Sequence, residues 1–224
     1  MKSMYLQLMQ LPLFQGVSGD LLSTLVEKLP FHFLKYRDGE RIIASGDVCT
    51  HLRFVVSGQV RLSTDVHHLR VCLSQTLSAP NVLAPEFLFG RDTVYPFTAA
   101  AQGTCGILQL LKSDYVKILQ ADKVFLFNIL NYLSLNTQKF TSSLLSHRRG
   151  SVAERLAIVV ESLTCNGATD VVLNYRQKDL CTLMGAQRTT MLHALDRLVE
   201  QGLIEYTASE MRIKDLRAFM QAQQ

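Results

Sequence analysis

Hydrophobic and polar positions fall into three successive patterns along the chain. In residues 1–30, Leu11, Phe14, Val17, Leu21, Leu25 and Leu29 recur at spacings of three and four, which predicts helix. Ser18 or Asp20 suits the N-cap of the second helix in this stretch, and Pro30 closes it. Residues 31–111 change to short apolar runs separated by turn residues. The predicted strands are Phe31–Tyr36, Arg41–Ala44, Leu52–Val56, Val60–Ser63, Leu69–Leu73, Phe97–Ala101 and Ile107–Leu111. Gly39, Gly46 and Gly58 stand between them, where tight turns need a positive φ. Short strands with turns at this spacing predict a β-sandwich or jelly roll.

Residues 113–146 return to a helical period, with the long rod running from about 122 to 146. Leu126, Leu130, Leu133, Thr137, Phe140 and Leu144 follow a 4-3-4-3-4 spacing, a heptad seam over nearly three heptads. A helix packed on its own domain also carries an apolar stripe. A seam this narrow on so long a helix suits a two-helix interface better, and a parallel homodimer along it is expected. His147-Arg148-Arg149-Gly150-Ser151 interrupts the pattern, which places a hinge there and predicts two domains, 1–146 and 147–224. The second reads as helix, strand or loop, helix, turn, helix, and a terminal hairpin with a helical tail.

Composition narrows the class without deciding it. The 224 residues are 48% hydrophobic and 19% charged, a globular balance. No apolar run approaches the roughly 18 residues that span a bilayer. Met1–Leu13 carries one Lys and no small-residue cleavage site, so it reads as part of the fold, with a cytoplasmic location expected. The five cysteines, Cys49, Cys72, Cys105, Cys165 and Cys181, show no C-x-x-C spacing and fit reduced, mostly buried thiols. The net charge is +4, but from His147 onward there are 10 Lys and Arg against 9 Asp and Glu. Any contact with nucleic acid therefore depends on where individual cations stand.

The most informative segment runs from Arg176 to Ile204. Its first helix is predicted to bury Leu180, Leu183 and Met184, and Gly185 sits where the chain must bend left-handed between two steeply crossing helices. The second helix is predicted to bury Met191, Ala194, Leu195 and Leu198. That leaves Gln187, Arg188, Thr189, Leu192 and His193 facing outward from its first turns. Arg188 suits a bidentate bond to guanine and Gln187 one to adenine. Thr190, Arg176, Gln177 and Lys178 suit phosphates. Ile204–Thr207 and Met211–Ile213 around Ala208-Ser209-Glu210 read as a β-wing.

On these motifs the whole chain resembles the CRP/FNR family of bacterial transcription regulators. Tyr36–Leu62 looks like the family's cyclic-nucleotide-binding-type roll, and Gly185–Ile204 looks like its recognition helix. The resemblance implies an α+β fold: an N-terminal double-stranded β-helix (jelly roll) with flanking helices, a long dimerisation helix and a C-terminal winged helix-turn-helix. It puts Arg188 in the place of the base-reading arginine, Thr189 where a glutamate often stands, and His193 in place of a second arginine. The base-reading set is then Gln187, Arg188, Thr189 and His193, and the operator differs from the cyclic-AMP receptor type.

The effector region departs from the family pattern. In cyclic-nucleotide-binding members a glutamate and an Arg-Ser pair hold ribose and phosphate. Alignment on Leu88-Phe89 puts Tyr95-Pro96 at the Arg-Ser position, with Pro85 near the glutamate and Glu86 one residue away. A buried cyclic phosphate needs a charge partner, for which Arg91 in a predicted turn is a poor substitute, so a cyclic nucleotide is not expected. The hydroxyl pair of the dimer helix aligns near Phe140-Thr141. Two readings of the aromatic segment stay open: an apolar effector pocket drawing on Glu86, Phe89, Arg91, Tyr95, Phe97, Phe140 and Thr141, or a filled sandwich core. An iron–sulfur cluster is not expected, because the first cysteine is Cys49. Haem is not expected either: His67-His68 lies in a predicted hairpin turn near Cys72, where histidines are usually just solvated.

The function expected is that of a homodimeric regulator bound to pseudo-palindromic double-stranded DNA, with RNA polymerase among its partners and no membrane. The rival is a ligand-binding or adaptor protein that uses the same fold without DNA. No nucleophile motif, metal cluster or phosphate loop supports an enzyme.

Overall fold

The computed structural model describes residues 8–64, 71–146 and 150–223, except the side chains of Ser143, Leu144 and Ser146. The chain forms two compact units, Met1–Arg61 with Ser78–Asn136, and Leu62–Leu77 with Thr137–Gln224. This division differs from the expected boundary at 146/147: it falls ten residues earlier in the long helix and assigns the 62–77 segment to the C-terminal unit.

The first unit opens with a 3-10 turn at Pro12–Phe14 and helix α1, Gly19–Lys28. Ser18 caps α1 by accepting from the Leu21 N–H. Strands β1 (His32–Tyr36), β2 (Arg41–Ile43), β3 (His51–Ser63), β5 (Asn81–Leu83) and β6 (Thr98–Leu111) follow, while β4 (Val71–Ser78), between β3 and β5 in the chain, falls almost entirely in the second unit. β6 is the spine of this unit. It pairs antiparallel with all of β1 and with β2, and β5 pairs with β3. Helix α2, Lys112–Ala121, continues directly from β6. Asp122 then breaks the helix and accepts from the Val124 N–H, starting α3, Lys123–Ser146. Phe14 sits edge-on to both Phe54 and Phe125, each 5.4 Å away, so the N-terminal turn, β3 and α3 share one aromatic core.

Several expected elements take a different form. The runs Leu52–Val56 and Val60–Ser63 are one strand, and so are Phe97–Ala101 and Ile107–Leu111. Gly58 is not a turn residue: it lies inside β3 at φ +76, and a Cβ there would stand 2.3 Å from the Thr104 carbonyl oxygen. It marks a close backbone approach between two paired strands. Gly39 and Gly46 do occupy turns, at φ +75 and +92.

The second unit is built on helix α4 (Val152–Leu163), strand β7 (Ala168–Tyr175), helices α5 (Gln177–Met184) and α6 (Arg188–Glu200), strands β8 (Glu205–Tyr206) and β9 (Glu210–Ile213), and helix α7 (Leu216–Gln221). β7 pairs antiparallel with β9 on one side and with β4 on the other, in register from Val71↔Tyr175 to Leu77↔Ala168. Leu156, Val160, Leu173, Leu180, Met191, Leu195, Met211 and Phe219 fill its core. Ser151 and Glu154 form a reciprocal capping box at the start of α4. At its far end, buried Gln75 accepts from the Cys165 N–H at 2.7 Å and Lys139 reaches the Thr164 carbonyl at 3.4 Å. Burial pushes the Lys139 ammonium below its ordinary pKa. The predicted hinge residues His147, Arg148 and Arg149 lie outside the described residues, as do His67 and His68.

Candidate nucleic-acid interface

α5 and α6 form the two-helix motif, and its bend is where the sequence places it. Gly185 is left-handed at φ +57, ψ +39, and its N–H reaches back to the Cys181 and Thr182 carbonyls, ending α5. Leu180 and Met184 anchor α5 in the core, whereas Leu183, expected to be buried, is 36% exposed. On α6, Met191, Leu195 and Leu198 are buried at spacings of four and three, and Ala194 packs half-buried against the same core. The opposite side carries Gln187, Arg188, Thr189, Thr190 and His193, all exposed, with Leu192 half-buried. Arg176 and Lys178 are exposed and Gln177 half-buried at the start of α5.

An open cleft of about 600 Å³ lies between these helices, lined by Gln177, Lys178, Cys181, Thr182, Gly185, Ala186, Gln187 and Arg188. Neither Arg176 nor Gln187, the two N-cap residues, closes its helix with a side-chain bond. The first backbone N–H groups of α5 and α6 are therefore left without an N-cap side-chain acceptor, at the positive ends of both helix dipoles. Lys178 and Arg188 add full charges on the rim.

The wing is fixed by tyrosines and ion pairs. Tyr175, buried in β7, donates to the Thr207 carbonyl at 3.1 Å, and burial pushes its hydroxyl up to about 12. Tyr206 on β8 donates to Asp196 on α6 at 2.6 Å, tying β8 to α6. Arg212 forks onto Asp170 at 2.9 and 3.1 Å, and Lys214 pairs with Glu205. These wing cations are thus matched by carboxylates of the chain, and the exposed Arg176, Lys178 and Arg188 turn the basic surface towards α5 and α6.

The segment expected to hold an effector is largely core. Tyr95 and Phe97 are buried, and with Phe87 they form a cluster whose ring centroids are 5.5 to 6.0 Å apart. Phe89 is half-buried beneath the Lys112 ammonium, 5.2 Å from its centroid. Arg91 is exposed beside Gly90. Glu86 is exposed as a residue, although its carboxyl is crowded enough for desolvation to raise its pKa. Phe140 and Thr141 belong to the second unit, are exposed, and the Thr141 hydroxyl donates to the Thr137 carbonyl of its own helix. Two polar residues of the first unit were not anticipated. Arg53 Nη1 donates to Tyr95 Oη at 3.3 Å, and Tyr95 Oη donates to the Cys49 sulfur at 2.7 Å. Arg53 carried no local signal: it is one of two arginines in β3, the other being Arg61.

α3 turns Phe125 and Ile129 into the core of the first unit. The neighbouring seam is open: Leu126, Leu130 and Phe140 are 40%, 47% and 52% exposed. Thr137 is exposed and Leu133 half-buried, while the Leu144 side chain lies outside the described residues.

Two family models match the chain in succession: a cyclic nucleotide-binding domain over residues 33–122 and a Crp-like helix-turn-helix domain over residues 142–222. The chain belongs to the CRP/FNR family of transcription regulators. Membership makes it a DNA-binding regulator in kind; the family is one of transcription regulators, not of enzymes. The catabolite activator protein of Thermus thermophilus shares the fold at 21% identity and TM-score 0.51, over 95% of this chain and all of that one. The c-di-GMP responsive regulator CLP of Xanthomonas campestris does so at 16% and 0.51, over 87% of this chain and 98% of that one. The sensor domain of the regulator DNR of Pseudomonas aeruginosa matches 60% of this chain and 88% of its own length, at 18% and 0.51. The comparison with curated proteins found no match. No helix among the described residues is long and apolar enough to cross a membrane.

Proposed function

We propose that the chain is a sequence-specific regulator that binds a pseudo-palindromic operator as a homodimer. The observation that carries this reading is the uncovered row Gln187, Arg188, Thr189 and His193 on the first turns of α6, opposite a fully buried row. Arg188 reads guanine through its fork, Gln187 reads adenine, and Thr189 and His193 set the remaining preference. Arg176, Gln177, Lys178 and Thr190 take phosphates, helped by the two helix N-termini beside them. The open apolar seam from Leu126 to Phe140 supports pairing of α3 with a second copy, which sets two recognition helices about 34 Å apart in successive major grooves. The protein works in the cytoplasm, with RNA polymerase as a further partner. Cyclic AMP is not its effector: Tyr95, at the position of the family's phosphate-binding arginine, is buried among rings.

The test is selection of bound duplexes from a random pool at moderate salt. Enrichment of an inverted repeat supports the regulator; no enrichment above input favours an adaptor that carries the fold without reading DNA.

A further inference from the structure

Inside the first unit, Arg53 and Lys112 both act on the Cys49 thiol that Tyr95 holds, and among the described residues neither forms an ion pair. Arg53, half-buried on β3, spends Nη1 on a long 3.3 Å bond to Tyr95, and its Nε is buried with no hydrogen-bond partner. Lys112 lies over Phe89, and neither Lys112 nor Arg53 reaches a carboxylate among the ion pairs of the described residues. His51 stands two residues from Arg53 on the same strand, its ring nitrogen 2.8 Å from the Thr50 hydroxyl. The Cys49 thiol, held by Tyr95, is pushed up by burial and feels both cations. A buried charged donor without an acceptor is costly and is the kind of orphan a ligand or ion satisfies.

We propose that Arg53 anchors a binding site for a small oxyanion, with Lys112 as the second cation. With Nη1 engaged, the edge left to the guanidinium is Nε with Nη2, the fork that fits two oxygens of a carboxylate or phosphate. The anion takes this Nε–Nη2 edge while Nη1 keeps its contact with Tyr95, which at 3.3 Å is longer than an ordinary N–H···O bond. The rings of Phe87, Tyr95 and Phe97 form the apolar wall beside it. The charge is thus supplied from β3, and not from the exposed Arg91. The site is independent of how the C-terminal unit reads DNA.

The experiment uses the full chain and two probes, inorganic phosphate and acetate, each at tens of millimolar against sodium chloride of matched ionic strength. Thermal melting is followed by tyrosine fluorescence, which no tryptophan obscures. The expected result is a rise in Tm of several degrees with at least one probe over chloride; the responding arm identifies the oxyanion. Arg53→Gln abolishes the response, Arg53→Lys weakens it by keeping charge without the fork, and Tyr95→Phe preserves or enlarges it by releasing Nη1. A wild-type protein that melts alike in all three salts overturns the proposal, as does an Arg53→Gln or, should that variant not fold, an Arg53→Lys response equal to wild type.

Discussion

The proposed reading of DNA turns on Arg188 and Gly185, which act in different ways. Arg188 is exposed at the first turn of α6, away from the buried row, so Arg188→Ala is expected to leave folding and assembly intact. It should cost about 1–3 kcal/mol on the selected site and flatten the preference among sites. Titration of specific and random duplexes checks this; equal loss on both would reduce Arg188 to a phosphate contact. A Cβ added at Gly185 would meet nothing within 4 Å, so Gly185→Ala carries only backbone strain at φ +57. Its cost should be about 1 kcal/mol in chemical denaturation. The placement of both was legible in the sequence because it is local: a glycine at a fixed distance from two apolar rows, and a polar first turn that is exposed. Arg53 was not legible, because its role depends on Tyr95, 42 residues away, and no local period reports that approach.

Among the elements, helices were easier to read than strands. The rows Met191, Leu195, Leu198 and Leu180, Met184 are buried as their spacing requires. Leu183 departs from its expected burial because it falls on the side of α5 that the core does not reach. β3 and β6 each read as two short strands, since a glycine inside a strand looks, in sequence, like a glycine between strands. What distinguishes Gly58 is the Thr104 carbonyl of the paired strand, so Gly58→Ala should destabilise by about 2 kcal/mol or more, well beyond Gly185→Ala. Denaturant melts of the two variants decide it; equal costs would mean that β3 and β6 do not approach so closely. On α3, the open seam makes a prediction of its own. Leu130→Glu places a charge in the proposed interface and should halve the mass seen by sedimentation while leaving the helical signal unchanged. A wild-type chain that sediments as a monomer at micromolar concentration would remove the interface.

For the whole molecule, burial of tyrosines ties stability to alkaline pH. Desolvation holds the hydroxyls of Tyr95, Tyr115 and Tyr175 above the ordinary value of 10, that of Tyr175 at about 12. The unfolded chain releases these protons near pH 10 while the folded chain keeps them. Stability is therefore intact below pH 10 and falls as pH rises beyond it. Tyrosinate absorbance should show these three of the seven tyrosines ionising only as the fold is lost; seven tyrosines titrating together in the folded state would contradict their burial. The division of the chain was the least legible feature at this scale. The 62–77 segment joins the C-terminal unit through the β4–β7 ladder, and a ladder between strands about a hundred residues apart leaves no periodic trace.

The central claim is that two copies of the α6 surface meet one duplex together. Hydroxyl-radical footprinting of the protein on its selected site, with the mass of the complex measured in parallel, tests it most directly. Two chains per duplex and two protected stretches on one face of the DNA, centred about one helical turn apart, are predicted. One chain per duplex, or a single protected stretch, would contradict it.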